Sequence, residues 1–273
     1  MKQFRLSEIW IYPVKSLGGI RLASSKVFEK GLEFDRRWML VDEHGTFMSQ
    51  RLHPQMALFK VAMTQDQLLI QYRHQESGTV AFPSISVDSR VLPSGDVLRA
   101  LIWNDEVDVL ETDRKISDWF SSILEINCRL VTLPESNPRP VDPSFRVANE
   151  HVSLADAYPF LIIGQSSLDD LNMRLKDPVP MNRFRPNFVF TGGVPYEEET
   201  WRNFRIGHNR FVGVKPCSRC VLTTVDQDTG QKGIEPLATL SGYRKTENKV
   251  FFGQNAVAID HTTVSTGDII SIE

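Results

Sequence analysis

Phe211-Val212-Gly213-Val214-Lys215-Pro216-Cys217-Ser218-Arg219-Cys220-Val221-Leu222-Thr223-Thr224-Val225 decides how this chain is read. The β-branched and aromatic residues on both sides predict two strands, 211–214 and 221–225, with the two cysteines at a rigid turn between them. Lys215 and Arg219 supply a positive field that favours a thiolate there. Such a thiolate can do redox chemistry or bind a soft metal. A structural zinc site normally takes a second pair of Cys or His ligands, whereas the remaining cysteine, Cys128, sits in an unrelated apolar setting. A thioredoxin-like pair should open a helix, and the run after Cys220 reads as strand. Two packed thiols, or one thiolate on a transition metal, are the readings left to weigh.

Strand candidates at 188–190, 204–206, 257–259 and 269–272 surround this segment and suit a closed antiparallel barrel. Short runs at 6–14, 27–28, 38–41, 57–64, 68–72 and 107–110 suggest a sheet or partial barrel in the first half. Residues 115–124 show helical spacing with Ser117 as cap, and 166–175 place Leu168, Leu171 and Leu175 on one stripe. The proline-rich stretch 133–143 reads as a loop, and a domain boundary is set just before it, near residue 125. The expectation is a β-rich α+β chain, a β domain over 1–124 packed on a β-barrel domain over 125–273, with a few helices.

The 273 residues are 41% hydrophobic and 24% charged, with a net charge of -3. That is ordinary globular usage, and the acidic balance argues against a nucleic-acid surface, which needs a broad basic face. Three cysteines are too few for a disulfide framework and point to a reducing compartment. Charges run through the first eight residues where the apolar core of a leader would lie, and no stretch approaches the ~20 apolar residues of a membrane span. A cytoplasmic protein without a membrane partner is expected.

The basic residues occupy strand ends. Lys15-Ser16 follows an apolar run, Arg36-Arg37 precedes the strand at 38–41, and Arg183-Phe184-Arg185-Pro186-Asn187 precedes the strand at 188–190. Strand ends and their loops are where a β scaffold presents charged ligand-binding groups. With the cysteines, this set suits a ligand carrying both a phosphate and a soft metal centre.

Together, Ile11-Tyr12-Pro13-Val14-Lys15-Ser16, Asp35-Arg36-Arg37-Trp38, Ser49-Gln50-Arg51, Phe184-Arg185-Pro186-Asn187, Pro216-Cys217-Ser218-Arg219-Cys220 and Leu222-Thr223-Thr224-Val225-Asp226 resemble the MOSC family, of the type that includes bacterial YcbX proteins and the mitochondrial amidoxime-reducing component. The resemblance spans nearly the whole chain and implies a molybdenum cofactor. By it Cys220 is the thiolate ligand of molybdenum and the catalytic residue. Lys15, Ser16, Arg36, Arg185 and Asn187 hold pterin and phosphate, and Ser218 and Arg219 contribute through the same turn. A backbone segment aligns near Asp156-Ala157-Tyr158-Pro159. Arg219 is expected to favour the ionised form of Cys220, while Cys217 reads as a packed neighbour.

The implied activity is reduction of N-hydroxylated or N-oxygenated small molecules; the alternative is a non-catalytic carrier of molybdenum cofactor or sulfur. No cysteine follows Cys220, so no iron–sulfur cluster is expected in this chain. Electrons should come from a separate ferredoxin-, flavodoxin- or cytochrome-type protein. No pyridoxal phosphate site is expected. His151, His208 and His261 are candidate proton donors by residue type alone.

Overall fold

Alternation of apolar and polar residues makes the first strand. In β1 (Phe4–Ile11) the side chains of Phe4, Leu6, Ile9 and Ile11 are buried and Arg5 is exposed, the period-2 pattern of a strand with one face in a core, stepped by one residue at the bulge between Leu6 and Glu8. In the computed structural model, which describes residues 3–64, 66–73, 83–89, 95–134, 136–137, 139–144, 147 and 150–273, β1 joins six later strands. These are β2 (Phe160–Gly164), β3 (Phe188–Thr191), β4 (Asn203–Ile206), β5 (Asn209–Arg219), β6 (Lys249–Ala258) and β7 (Ile269–Ile272). The order β2-β3-β1-β7-β4-β5-β6 closes on itself because β2 also pairs with β6. Closure removes the unpaired edges of a sheet.

Aromatic rings fill the barrel. Phe160 stacks on Phe188 at 5.6 Å and Phe204 on Phe211 at 5.5 Å, while Phe188 meets Phe211 edge-on at 5.5 Å. The barrel is not wholly antiparallel, as the sequence suggested. β2 and β3 run parallel, joined by α2 (Gln165–Arg174), since parallel neighbours need a crossover. β2 was not anticipated: all five of its residues are buried, so it has no alternating pattern. Phe160 and Ile162 enter the barrel core, while Leu161 and Ile163 pack outside with Leu168, Leu171 and Leu240 of α2 and α3 (Leu237–Tyr243).

Most of the first half forms two further sheets. One pairs Trp38–Asp42, Cys128–Thr132, Asp105–Glu111 and Val97–Ile102 in that order; the other pairs Phe59–Thr64, Gln67–Tyr72 and Ile85–Asp88. Helix α1 (Arg114–Leu124) buries Ile116, Phe120 and Leu124 against them. Its cap is Asp113, which accepts from Lys115 N at 2.8 Å. Ser117, expected as the cap, lies inside the helix and donates to Glu111 at 2.7 Å. Residues 57–58 end a 3-10 turn, Pro54–Leu58, rather than begin the strand; Pro54 stands at its first turn, where the fixed φ of proline is preset for a helix. Of the proline-rich loop, Glu135 and Pro138 lie outside the described residues; Pro140 forms an isolated bridge with His151. Among the described residues no helix is long and apolar enough to cross a membrane.

One expected strand is absent. Val221–Thr224 is a 3-10 turn, and β5 runs on through Cys217 to Arg219. Thr223 and Thr224 return their hydroxyls to the carbonyls of Cys220 and Val221 at 2.9 and 2.8 Å. These local bonds compete with a sheet ladder and override the β-branched propensity. Cys217 therefore sits on a strand and Cys220 at the head of a turn.

Candidate active site

The cavity lies on the outer wall of the barrel. Leu161, Asn255 and Lys215 occupy one register row across β2, β6 and β5 and all border it, while Phe160 and Ile162 point the other way, into the barrel core. The opposing wall comes from the first half of the chain, through Lys15, Ser16, Arg36, Phe47, Arg51 and Trp103. The cavity measures about 470 Å³ and all eight residues expected at the site (Lys15, Ser16, Arg36, Arg185, Asn187, Ser218, Arg219 and Cys220) line it.

At one end two guanidiniums flank a buried ring. Arg36 lies 4.4 Å and Arg185 4.1 Å from the centroid of Tyr12. Arg36 pairs with Asp35 at 2.5 Å and donates to Arg185 O at 3.1 Å; Arg185 donates to Leu17 O at 2.6 Å. Burial lowers the Arg185 pKa to about 10, with Arg36 adding to the effect, and burial raises that of Tyr12. Two cations held this close favour an anionic ligand between them. Asn187 is fully engaged within the protein. Its oxygen accepts from Leu161 N at 3.2 Å, and its amide donates to Trp10 O at 3.2 Å and Asp35 Oδ2 at 3.1 Å. It braces the wall where β1, β2 and β3 meet.

The other end holds the sulfur. Arg51 Nε donates to Cys220 Sγ at 3.1 Å, and Arg51 Nη2 lies 3.3 Å from Asp156 Oδ2. Asp156 Oδ1 accepts from Lys15 Nζ at 2.5 Å and Trp103 Nε1 at 3.3 Å. Lys15 also donates to Leu154 O at 2.9 Å, and burial lowers its pKa to about 8 against the opposing pull of Asp156. Although crowding by the cavity wall works to raise the half-open Asp156 carboxyl, Lys15 and Arg51 hold it well below the usual carboxylate range.

The cation beside Cys220 is thus Arg51, not Arg219. Alternate residues on a strand share a face, so Arg219 turns with Cys217, reaching its Sγ at 3.0 Å and Phe184 O at 2.6 Å. Lys215 lies 5.0 Å from the Tyr158 ring. Arg51 and the Asp156 side chain are the site groups that sequence reasoning passed over. Arg51 stood within a quoted motif, but nothing in Ser49-Gln50-Arg51 tells which way the guanidinium points. The three histidines lie elsewhere: His151 pairs with Glu29, and His208 and His261 are exposed.

Strain concentrates here. Ser16, Arg36, Trp103 and Arg185 have φ of 66, 49, 59 and 55°, half of the eight non-glycine residues in the left-handed region among those described. Such backbone costs of order 1 kcal/mol per residue and collects at ligand sites.

The donors suit a large anionic ligand with a soft metal. Besides the arginines and Cys220, Arg219 Nε is buried with no hydrogen-bond partner, an unsatisfied donor that a ligand could meet. Among the described residues no three His, Cys, Asp or Glu side chains cluster to hold a metal unaided, so a metal here would arrive with ligands of its own.

Residues 3–127 match the MOSC N-terminal beta barrel domain and residues 149–271 the MOSC domain. Mitochondrial amidoxime-reducing component 1 of Mus musculus is 30% identical over 281 residues, covering 96% of this chain and 80% of that protein. The same-named protein of Homo sapiens is also 30% identical, with 96% and 81% covered. The molybdenum cofactor sulfurase of Arabidopsis thaliana is 29% identical over 91% of this chain, which corresponds to 32% of that longer protein.

Proposed function

The chain belongs to the family of MOSC-domain proteins that includes the mitochondrial amidoxime-reducing components, and from that premise we propose that it is a molybdenum cofactor-dependent reductase. It reduces N-hydroxylated or N-oxygenated small molecules with electrons from a separate donor protein. The observation that supports this most is the meeting of Cys220, Arg36, Arg185 and Arg219 around one cavity. A soft sulfur ligand and several charge-assisted donors are the two things a metal–dithiolene phosphate needs.

In this reading Cys220 ligates molybdenum. Arg36, Arg185 and Arg219 hold phosphate and pterin, with Lys15, Ser16 and Ser218 along the same wall and Asn187 bracing it. When bound, the cofactor supplies a two-electron couple and an acceptor for the substrate oxygen. The net change is N–OH plus two electrons and two protons to N–H and water. The chain's own residues bind and orient: Arg51 holds the Cys220 sulfur by a direct hydrogen bond, and Asp156 fixes Arg51 and Lys15 together. We assign the cytoplasm, a reducing compartment in keeping with the three cysteines of the sequence.

The test is molybdenum and pterin content of the purified protein, followed by benzamidoxime reduction with a reduced viologen. Near-stoichiometric molybdenum and formation of benzamidine are expected. The second reading, a carrier of cofactor or sulfur, draws on the likeness to part of a cofactor sulfurase. It gives cofactor binding without turnover.

A further inference from the structure

The cavity's sulfur end has a lining unlike the rest. Trp103 sits at the turn of the hairpin between Val97–Ile102 and Asp105–Glu111, in left-handed backbone at φ 59°. Tryptophan gains nothing from that conformation, so its side chain is held at the mouth at a conformational cost. Its ring lies 5.0 Å from that of Phe47 and 4.2 Å from the Arg51 guanidinium, yet 46% of the residue stays exposed. Beside it is Asp156, a carboxylate among cations with 52% of its side chain open. Asp156 accepts from Lys15, Trp103 and Arg51. A carboxylate offers about four lone-pair sites, so one remains for a donor from a ligand.

We propose that Trp103, Phe47 and Asp156 form a substrate subsite that selects flat, aryl-bearing N-hydroxyamidines, the ring lying against Trp103 and the amidine NH2 donating to Asp156. This rests on the reductase reading and names the residues that set its selectivity. The head group it takes is neutral, because Lys15 and Arg51 on either side of Asp156 disfavour a second cation. Aromatic contact beyond simple area burial is worth about two- to tenfold in affinity, enough to rank aryl over alkyl substrates without excluding the latter.

The hairpin is anchored from behind. Arg139, buried, binds Asp105 Oδ2 at 2.8 Å and the carbonyls of Ser153 and Ala155 at 2.9 and 2.5 Å. One guanidinium therefore ties the Trp103 hairpin to the segment that carries Asp156, and fixes the spacing of the subsite.

Two measurements on wild type and Trp103→Leu test this. In the first, the cofactor-free protein is titrated with benzamidoxime and with acetamidoxime by calorimetry. Wild type should favour benzamidoxime, and the variant should lose that preference by about tenfold. In the second, the loaded enzyme with reduced viologen should show the ratio of kcat/KM for benzamidoxime over acetamidoxime falling about tenfold in the variant, through KM. An unchanged ratio or an unchanged benzamidoxime affinity in a variant with wild-type circular dichroism overturns the subsite. If wild type turns over neither compound, the reductase reading fails, and the titration alone decides whether the subsite exists. Trp103→Phe should keep most of the preference.

Discussion

Cys220 and Cys217 are three residues apart but occupy different environments. Cys220 meets Arg51 from the first half of the chain, whereas Cys217 meets Arg219 and packs with the outer cluster of α2 and α3. Cys220→Ser should therefore abolish reduction of an N-hydroxylated substrate and disturb molybdenum retention, since a hydroxyl is a poor soft ligand. Cys217→Ser should keep most of both. Activity and metal content of the two variants check this, and equal losses would point to a two-thiol site. The sequence made the cysteines, the arginines and Lys15 legible, because charged residues at strand ends and a close thiol pair carry chemistry in their identity. It assigned the pairing wrongly, giving Cys220 the neighbouring Arg219, which turns instead to Cys217. That Arg51 rather than Arg219 reaches Cys220 depends on strand direction and on contacts 169 residues apart, and neither is a property of local sequence. The left-handed backbone at Ser16, Arg36 and Arg185 was equally hidden, since only glycine and asparagine advertise that conformation.

Helix α2 has a terminus supplied from outside. Its N-cap, Gly164, offers no side chain; instead Glu198, fully buried, accepts from Gly164 N at 3.2 Å and from Ser167 Oγ at 2.9 Å. Burial raises the Glu198 pKa from 4.5 to about 7, against the lowering effect of those bonds. Between these two values the folded protein holds a proton that the unfolded chain releases, so stability falls as pH rises through that window and levels off above it. At 1.36 kcal/mol per pH unit the full loss is about 3 kcal/mol. Glu198→Gln should remove this slope and be the more stable protein at pH 8 by about 1–3 kcal/mol, while near pH 4.5 the two should differ little. Urea unfolding at both pH values measures it, and a wild type equally favoured at both would refute the assignment. The elements themselves were read with uneven success. Strands with one buried face, such as β1, showed their period. Buried β2, the short α3 and the hydroxyl-bonded turn after Cys220 did not, because burial on both faces erases alternation and side-chain bonding defeats propensity.

The whole molecule is less divisible than its two regions suggest. β1 lies between β3 and β7 of the barrel, so the first strand completes a seven-stranded closed barrel whose other six strands come after residue 159. Lys15, Ser16, Arg36 and Arg51 reach the cavity from the same half. A fragment of residues 125–273 should consequently aggregate or stay unfolded, with two open strand edges where β1 belongs, and adding residues 1–124 in the same cell should rescue its solubility. A soluble, barrel-forming 125–273 fragment, judged by size exclusion and circular dichroism, would contradict this. Electron supply belongs to the same scale. The sequence has one cysteine pair and a third thiol at Cys128, buried among α1 and its sheet, against the four thiolates that the common iron–sulfur clusters take. Among the described residues no strand is followed by the glycine-rich turn that cradles a dinucleotide pyrophosphate: β2, which leads into α2, ends in a single glycine. The purified, cofactor-loaded protein should leave NADH and NADPH unoxidised in the presence of benzamidoxime, and should form benzamidine once a reductase and a small electron carrier, or a reduced viologen, are added. Nucleotide consumption with and without that donor system is the assay. Robust donor-free turnover would mean a dinucleotide site within this chain, and failure with every donor would favour the carrier reading.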